Sequence, residues 1–273
     1  MTASDQPPPV RLEGVAYEID SRPVLAGVDL EIRHGEIVAV MGRSGCGKTT
    51  LLRLIMGLIQ PSAGRIEVFG RNIVNMPERE LNALRLRMGM VFQGSALFDS
   101  LSVGENVAFG LREHRRLPED EIRRVVIEKL YLVGLEGSER LMPAELSGGM
   151  QKRVGIARAL AMDPEVVLYD EPTAGLDPIA GAETDELIVS LRECLGVASL
   201  VVTHDVPSIL RIAHRAAMLR GGRIVAAGSP TALRSSEDPT VQQFFVGITQ
   251  EPVAPTPDTC ERPGLKFRRE ETP

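Results

Sequence analysis

Residues 42–50 read GRSGCGKTT, preceded by GEIVAVM (35–41) and followed by LLRLIMGL (51–58). An apolar run, a glycine-rich turn and a second apolar segment at helical spacing predict a buried strand, a tight loop and a helix. Gly42, Gly45, Gly47, Lys48 and Thr49 occupy the fixed positions of a G-x-x-x-x-G-K-[ST] phosphate loop. Glycines there let backbone N–H groups turn inward around phosphate oxygens, and the helix N-terminus adds positive partial charge. Lys48 is placed to reach the β- and γ-phosphates of a nucleotide, and Thr49 offers a hydroxyl to Mg²⁺. Arg43, Ser44, Cys46 and Thr50 fill the positions between and after them, so nucleotide contact is expected along the whole run. Cys46 is read as a small side chain that fits the loop rather than as a redox group.

Working outward, VVLYDEP (166–172) ends a second buried strand on two carboxylates. Parallel strands present their last residues at the carboxyl edge of a sheet, where ligands of α/β folds collect. Asp170 suits a Mg²⁺ shell, with Thr49 and Gln93 as further oxygen donors. Glu171 suits the general base toward an attacking water, a role worth ~10²–10⁴-fold in rate. VVTHD (201–205) repeats the geometry and places His204 at another strand end, toward a γ-phosphate or water. Gln93 follows the apolar run GMVF (89–92) and is a candidate to orient water or touch the metal. Tyr17 is a candidate to stack on the adenine, although its place on the apolar face of a strand suits a core role nearly as well.

The segment PAELSGGMQKR (143–153) forms a second phosphate-holding element. Ser147 is a good N-cap, and Gly148 and Gly149 leave the first amides of a helix uncovered. Ser147 lies 99 residues after Lys48. The residues alone leave open whether the two elements grip one nucleotide, two, or one shared between copies.

Composition sets limits. The 273 residues suffice for one large α/β domain with an insertion. A formal net charge of −6 argues against nucleic acid as a partner. Cys46, Cys194 and Cys260 are too few for a disulfide framework and favour a reducing compartment. The opening MTASDQPPPV has no basic flank or apolar core of a secretory signal, and runs such as EIVAVM fall far short of the ~20 residues that span a bilayer. A soluble, cytoplasmic chain is expected, with any membrane role supplied by a partner.

Residues 1–9 are expected to be a flexible tail and 10–247 the folded domain, and the Pro- and charge-rich 248–273 a flexible extension. RLEGVAYEI (11–19) alternates as a half-buried strand with Leu12, Val15, Tyr17 and Ile19 mostly on one face. From about 95 to 160 the texture is helical, with Ile122, Val125, Val126, Leu130 and Val133 at helical spacing. Strand signals return at 165–172, 198–205, 216–222 and 223–228, so a mainly parallel sheet is predicted.

The ordered set GRSGCGKTT, Gln93, LSGGMQ (146–151), VVLYDEP, AGLD (174–177) and His204 resembles the ATP-binding subunit of an ABC transporter over roughly residues 10–245. That resemblance implies an α/β, RecA-like P-loop core with an antiparallel β-subdomain and a helical subdomain. It implies ATP and Mg²⁺ as ligands, and a homodimer in which Ser147, Gly148 and Gly149 bind the γ-phosphate of ATP held by the other copy. Asp177 would cross that interface. Gln93 would couple the helical insertion to an integral-membrane permease received at 94–110, where Phe98, Leu101 and Val103 are apolar enough for a groove and suit the core of the insertion equally well. LREH (111–114), LMPAELSGGM (141–150), DPI (177–179) and HDVPS (204–208) resemble most the Mla/Mce-type lipid-transport ATPases. This branch implies phospholipid or related cargo, an Mce-type lipid-binding subunit in the complex, and a peripheral place on the cytoplasmic face of the inner membrane. ATPases of polar amino-acid or other small-solute importers share nearly all these motifs, and a regulator of cell-wall enzymes has a similar core length.

Overall fold

The computed structural model describes residues 7–115 and 117–247, with the side chains of 246 and 247 outside the description. The predicted tail and extension at 1–6 and 248–273 lie outside the described residues, as does Cys260.

The strand before the phosphate loop, β3 (Ile37–Met41), is buried at every position. Such a run has no solvated face, which marks a strand covered on both sides. It lies within a six-stranded sheet with five further strands: β6 (Met88–Val91), β7 (Val166–Asp170), β8 (Ala198–Thr203), β9 (Arg215–Arg220) and β10 (Arg223–Gly228). Their order is β10-β9-β3-β8-β7-β6, and every pairing except β10 with β9 is parallel. The four remaining strands, β1 (Val10–Ile19), β2 (Arg22–Ile32), β4 (Ala63–Val68) and β5 (Arg71–Asn72), form a separate antiparallel sheet in the order β2-β1-β4-β5. The mainly parallel expectation therefore holds for one sheet of two.

Alternation along the central strands separates the cores. Val38, Val40, Leu168 and Leu200 face one side, packed with helix α1 (Lys48–Ile55) and the antiparallel sheet. Val167, Tyr169 and Val201 face the other, packed against the helical segment. That segment contains α3 (Val103–His114), α4 (Glu119–Leu132) and α5 (Gly148–Leu160), with α2 (Glu78–Arg85) preceding it. Ser102 and Glu105 form a capping box at the start of α3. Ile122, Val126, Leu130 and Val133 are buried at the predicted spacing. The chain then runs through α6 (Pro178–Leu195), α7 (Val206–Ile212) and α8 (Pro230–Arg234) to α9 (Pro239–Gly247). Phe244 of α9 joins Ala39, Met41 and Ile209 in a third cluster.

Strand β1 departs from simple alternation. Gly14 adopts φ +57°, and the pairing with β2 shifts register between Leu12 and Val15, so both of these are buried although three residues apart. Ile19 is pushed to 49% exposure and does not share the apolar face predicted for it. At the N-terminal end, Pro9 is buried and its carbonyl accepts from Phe69 N at 2.8 Å. Among the described residues, no helix is long and apolar enough to cross a membrane.

Candidate nucleotide site

Strand register assembles the site. Met41 of β3 lies level with Thr203 of β8, Asp170 of β7 with Val202, and Val91 of β6 with Tyr169. The residues just beyond these strand ends, Gly42, His204, Glu171 and Gln93, therefore come out along one edge of the sheet. A cleft of about 240 Å³ opens there, lined by Ser44, Gly45, Gly47, Lys48, Thr49, Thr50, Gln93, Glu171 and His204, with Val24 of β2 closing one wall.

The loop has little room for other side chains. Gly47 has φ +107°, and a Cβ there would meet Leu25 Cδ2 at 2.8 Å and Val24 O at 3.2 Å. A Cβ on Gly42 would meet Cys46 Sγ and Leu219 O, each at 2.6 Å. Cys46 fills the space behind the loop, and burial pushes its thiol pKa up despite the nearby Lys48 charge. It is packing, not a poised thiolate. Arg43 and Ser44 continue onto a neighbouring depression between the loop and α9.

Lys48 is 6% exposed. Its ammonium donates to Gly42 O at 2.8 Å and Arg43 O at 3.3 Å, and pairs with Glu171 Oε1 at 3.1 Å. The other carboxylate oxygen of Glu171 accepts from His204 N at 3.2 Å and lies 2.9 Å from His204 Nδ1. Glu171 itself has φ 47°, left-handed for a residue with a side chain, and its N–H is held by Val202 O at 2.9 Å. Backbone strain of this kind collects at functional sites. Beside it, Thr49 Oγ1 donates to Asp170 Oδ1 at 3.2 Å.

The two adjacent carboxyls are shifted in opposite directions. Burial pushes the Asp170 pKa up, only partly offset by the Thr49 hydroxyl. Burial acts the same way on Glu171, but the His204 hydrogen bond and the Lys48 charge outweigh it and hold that carboxyl below its ordinary range.

Ser147, Gly148 and Gly149 are not in this cleft. They line a second concavity of about 450 Å³ together with Gly175, Leu176 and Asp177. Ser147 caps α5 by accepting from Met150 N at 3.3 Å, and Asp177 caps α6 by accepting from Ile179 N and Ala180 N at 3.0 Å. One chain therefore presents two separate phosphate-sized concavities.

Tyr17 does not line either one; it is half-buried in β1, opposite Leu25 and packed against the first core cluster. Val24, one strand away, lines the cleft, a position that no sequence signal marked. Val103 is wholly buried in the helical core, whereas Phe98 and Phe109 stay partly exposed with ring centroids 4.7 Å apart.

The sheet order and the cleft at its carboxyl edge define a P-loop nucleoside triphosphatase carrying an inserted helical segment and an antiparallel sheet. The profile of the ABC transporter family matches residues 25–174, and the chain belongs to that family, as an ATP-binding cassette that hydrolyses ATP. MlaF of Escherichia coli strain K12, the ATP-binding protein of an intermembrane phospholipid transport system, is 46% identical over 89% of this chain and 91% of its own. MlaF of Haemophilus influenzae is 43% identical over 89% and 92%. The fold matches the dimeric post-hydrolysis structure of the cassette MJ0796 bound to ADP and Pi. That match has a TM-score of 0.74 and 34% identity, and covers 81% of this chain and 98% of that one.

Proposed function

We propose that this chain is the ATP-hydrolysing subunit of a phospholipid transporter, working as a homodimer beneath an integral-membrane permease. The observation that carries the reading is the pair of separate concavities, Lys48 and Glu171 in one and Ser147 and Asp177 in the other. Two copies facing each other place one chain's Ser147 helix cap over the nucleotide on its partner's Lys48 loop. Arg43, Ser44, Gly45, Cys46 and Thr50 contribute the rest of the loop.

The donor set fits Mg²⁺. Thr49 Oγ1 and Asp170 Oδ1 are hard oxygens 3.2 Å apart, and the Gln93 side chain borders the same cleft. Mg²⁺ keeps several waters and takes only one or two protein oxygens beside substrate phosphates, so no dense carboxylate cluster is needed. When bound, the ion neutralises charge on the β- and γ-phosphate oxygens.

Lys48 is the switch for Glu171. A phosphate entering the loop competes for the ammonium with Gly42 O, Arg43 O and Glu171. Drawing Lys48 away removes one cation that depresses the Glu171 pKa and raises its basicity as the attacking water arrives. His204 then holds the carboxylate in place through its backbone N–H and ring, and Gln93, which lines the same cleft, orients the water.

The close MlaF relatives support phospholipid cargo and a permease partner. An Mce-type lipid-binding subunit completes the proposed complex, which places the chain on the cytoplasmic face of the inner membrane. The test is to tag the chain, extract native membranes gently and identify its companions by mass spectrometry. A polytopic permease with a single-span lipid-binding subunit is expected. A permease with a soluble small-solute-binding protein would overturn the lipid reading, and no permease at all would overturn the transport reading.

A further inference from the structure

Lys152 is a buried lysine, 5% exposed, which the chemistry above does not use. It stands on α5, five residues after Ser147, and its ammonium donates to the backbone carbonyl of Gln93. Two turns further along the same helix, Arg158 donates from Nη1 to Ala96 O at 2.6 Å and from Nη2 to Ser95 O at 2.7 Å. Three carbonyls within four residues of one loop are thus held by two cations of one helix.

That loop needs holding. Ser95 and Ala96 are consecutive left-handed residues, with φ 59° and 48°. Strained backbone persists only where its surroundings over-determine it. Ser95 is buried, and Gly155 of α5 lies flush against it: an added Cβ would sit 3.5 Å from Ser95 O and 3.6 Å from Ser95 Cβ. The loop's own amides turn inward, Ser95 N to Phe92 O at 2.9 Å and Ala96 N to Gly94 O at 2.6 Å, which leaves its carbonyls for α5. Burial lowers the Lys152 pKa, opposed by the negative charges of Asp170 and Glu171.

We propose that Lys152 and Arg158 are positioning residues that lock the 93–96 loop onto α5 and thereby fix Gln93 in the nucleotide cleft. Lys152 touches only the main chain of Gln93, so it works through that residue's placement. The same helix carries Ser147 at its N-terminus. A shift of α5 as Ser147 engages the partner's nucleotide therefore moves Gln93 in this chain's own cleft, linking the two sites through one rigid element. The inference rests on the reading of Gln93 as a residue of the reaction.

A double-mutant cycle on the full chain tests it, with Gln93→Ala, Lys152→Met and the combination assayed for MgATP turnover. Each single variant is expected to lower kcat about tenfold with KM little changed, and the double to be no slower than Gln93→Ala alone. Lys152→Arg, which keeps the cation, should recover most of the loss, and amides of residues 92–97 should exchange faster in Lys152→Met. A double variant slowed about a hundredfold would mean independent effects and overturn the positioning role, as would wild-type kcat in Lys152→Met. Wild-type kcat in Gln93→Ala would instead overturn the reading of Gln93. If Lys152→Met does not fold, Arg158→Lys gives the same cycle, because lysine cannot hold two carbonyls in one planar fork.

Discussion

Lys48 Nζ and Glu171 Oε1 form a 3.1 Å ion pair in the nucleotide cleft, both residues less than a tenth exposed. The phosphate loop and the proposed general base are therefore connected by a direct ion pair. A buried pair of this kind adds little net stability, because desolvating two charges costs about as much as their attraction returns. Its proposed effect is on function: the lysine of the phosphate loop also tunes the basicity of the carboxylate proposed to activate water.

Glu171→Gln preserves shape and hydrogen-bonding reach but removes the proton acceptor. Turnover is expected to fall at least about a hundredfold, while ATP binding is retained. Steady-state phosphate release together with equilibrium binding of a fluorescent ATP analogue checks both halves. Near-normal hydrolysis would remove Glu171 from the base role.

Lys48→Ala should weaken ATP binding by about tenfold or more, because a charge-assisted contact is lost. It should also alter acid stability. The folded Glu171 pKa lies below its unfolded value, so ionised Glu171 stabilises the fold above the unfolded value, and this contribution is lost as pH falls through the folded pKa. Without Lys48 the depression is smaller, so the acid-dependent loss should be smaller and complete at a higher pH, closer to the ordinary glutamate value of about 4.3. Urea midpoints measured at stepped pH in wild type and variant give the comparison. Superimposable pH profiles would mean that His204 alone sets the Glu171 pKa.

Much of this site was legible in the sequence because its chemistry is local. The Gly42–Thr49 pattern lies between a buried run and a helix, and Asp170, Glu171 and His204 follow apolar runs that could only be central strands. What escaped depended on contacts between distant elements. Val24 closes the cleft because β2 of one sheet crosses the phosphate loop of the other, and periodicity within β2 carries no trace of that crossing. Tyr17, which suits a core role nearly as well as a stacking one, packs on the core beside the register shifts of β1, and those shifts leave no mark in the sequence. Lys152 reads as one more solvated helix cation until its partner 59 residues away is known.

The β1–β4 crossing makes a stability prediction independent of the nucleotide. Gly64 has φ +92°, and a Cβ there would fall 2.4 Å from Gly14 O and 2.7 Å from Glu13 O. Neither obstacle is a flexible side chain, so Gly64→Ala forces the two strands apart where β1 already bulges. A loss of about 2–4 kcal/mol is expected, with the thermal midpoint lowered by roughly 2–4 °C per kcal/mol. Calorimetry with and without saturating ATP would read it. A variant as stable as wild type would mean the strands separate without cost.

The shared-site geometry predicts complementation between two inactive chains. A Lys48→Ala chain keeps Ser147, and a Ser147→Arg chain keeps Lys48. In a mixed dimer, the intact loop of one faces the intact helix cap of the other, while the second site carries both lesions. Each variant alone should be nearly inactive as a homodimer, because both of its sites are broken. Mixing them should restore about half the turnover per dimer if the sites act independently, and less if firing of one requires the other. The mixed species must be isolated with two different affinity tags, so that recovery is read per heterodimer. Activity that returns in the heterodimer requires that Ser147 serve the partner's nucleotide, since no single chain in the mixture has both groups. An isolated heterodimer that stays inactive while both chains retain their folds would instead place Ser147 and Lys48 on the same nucleotide. That outcome would contradict the separation of the two concavities in one chain.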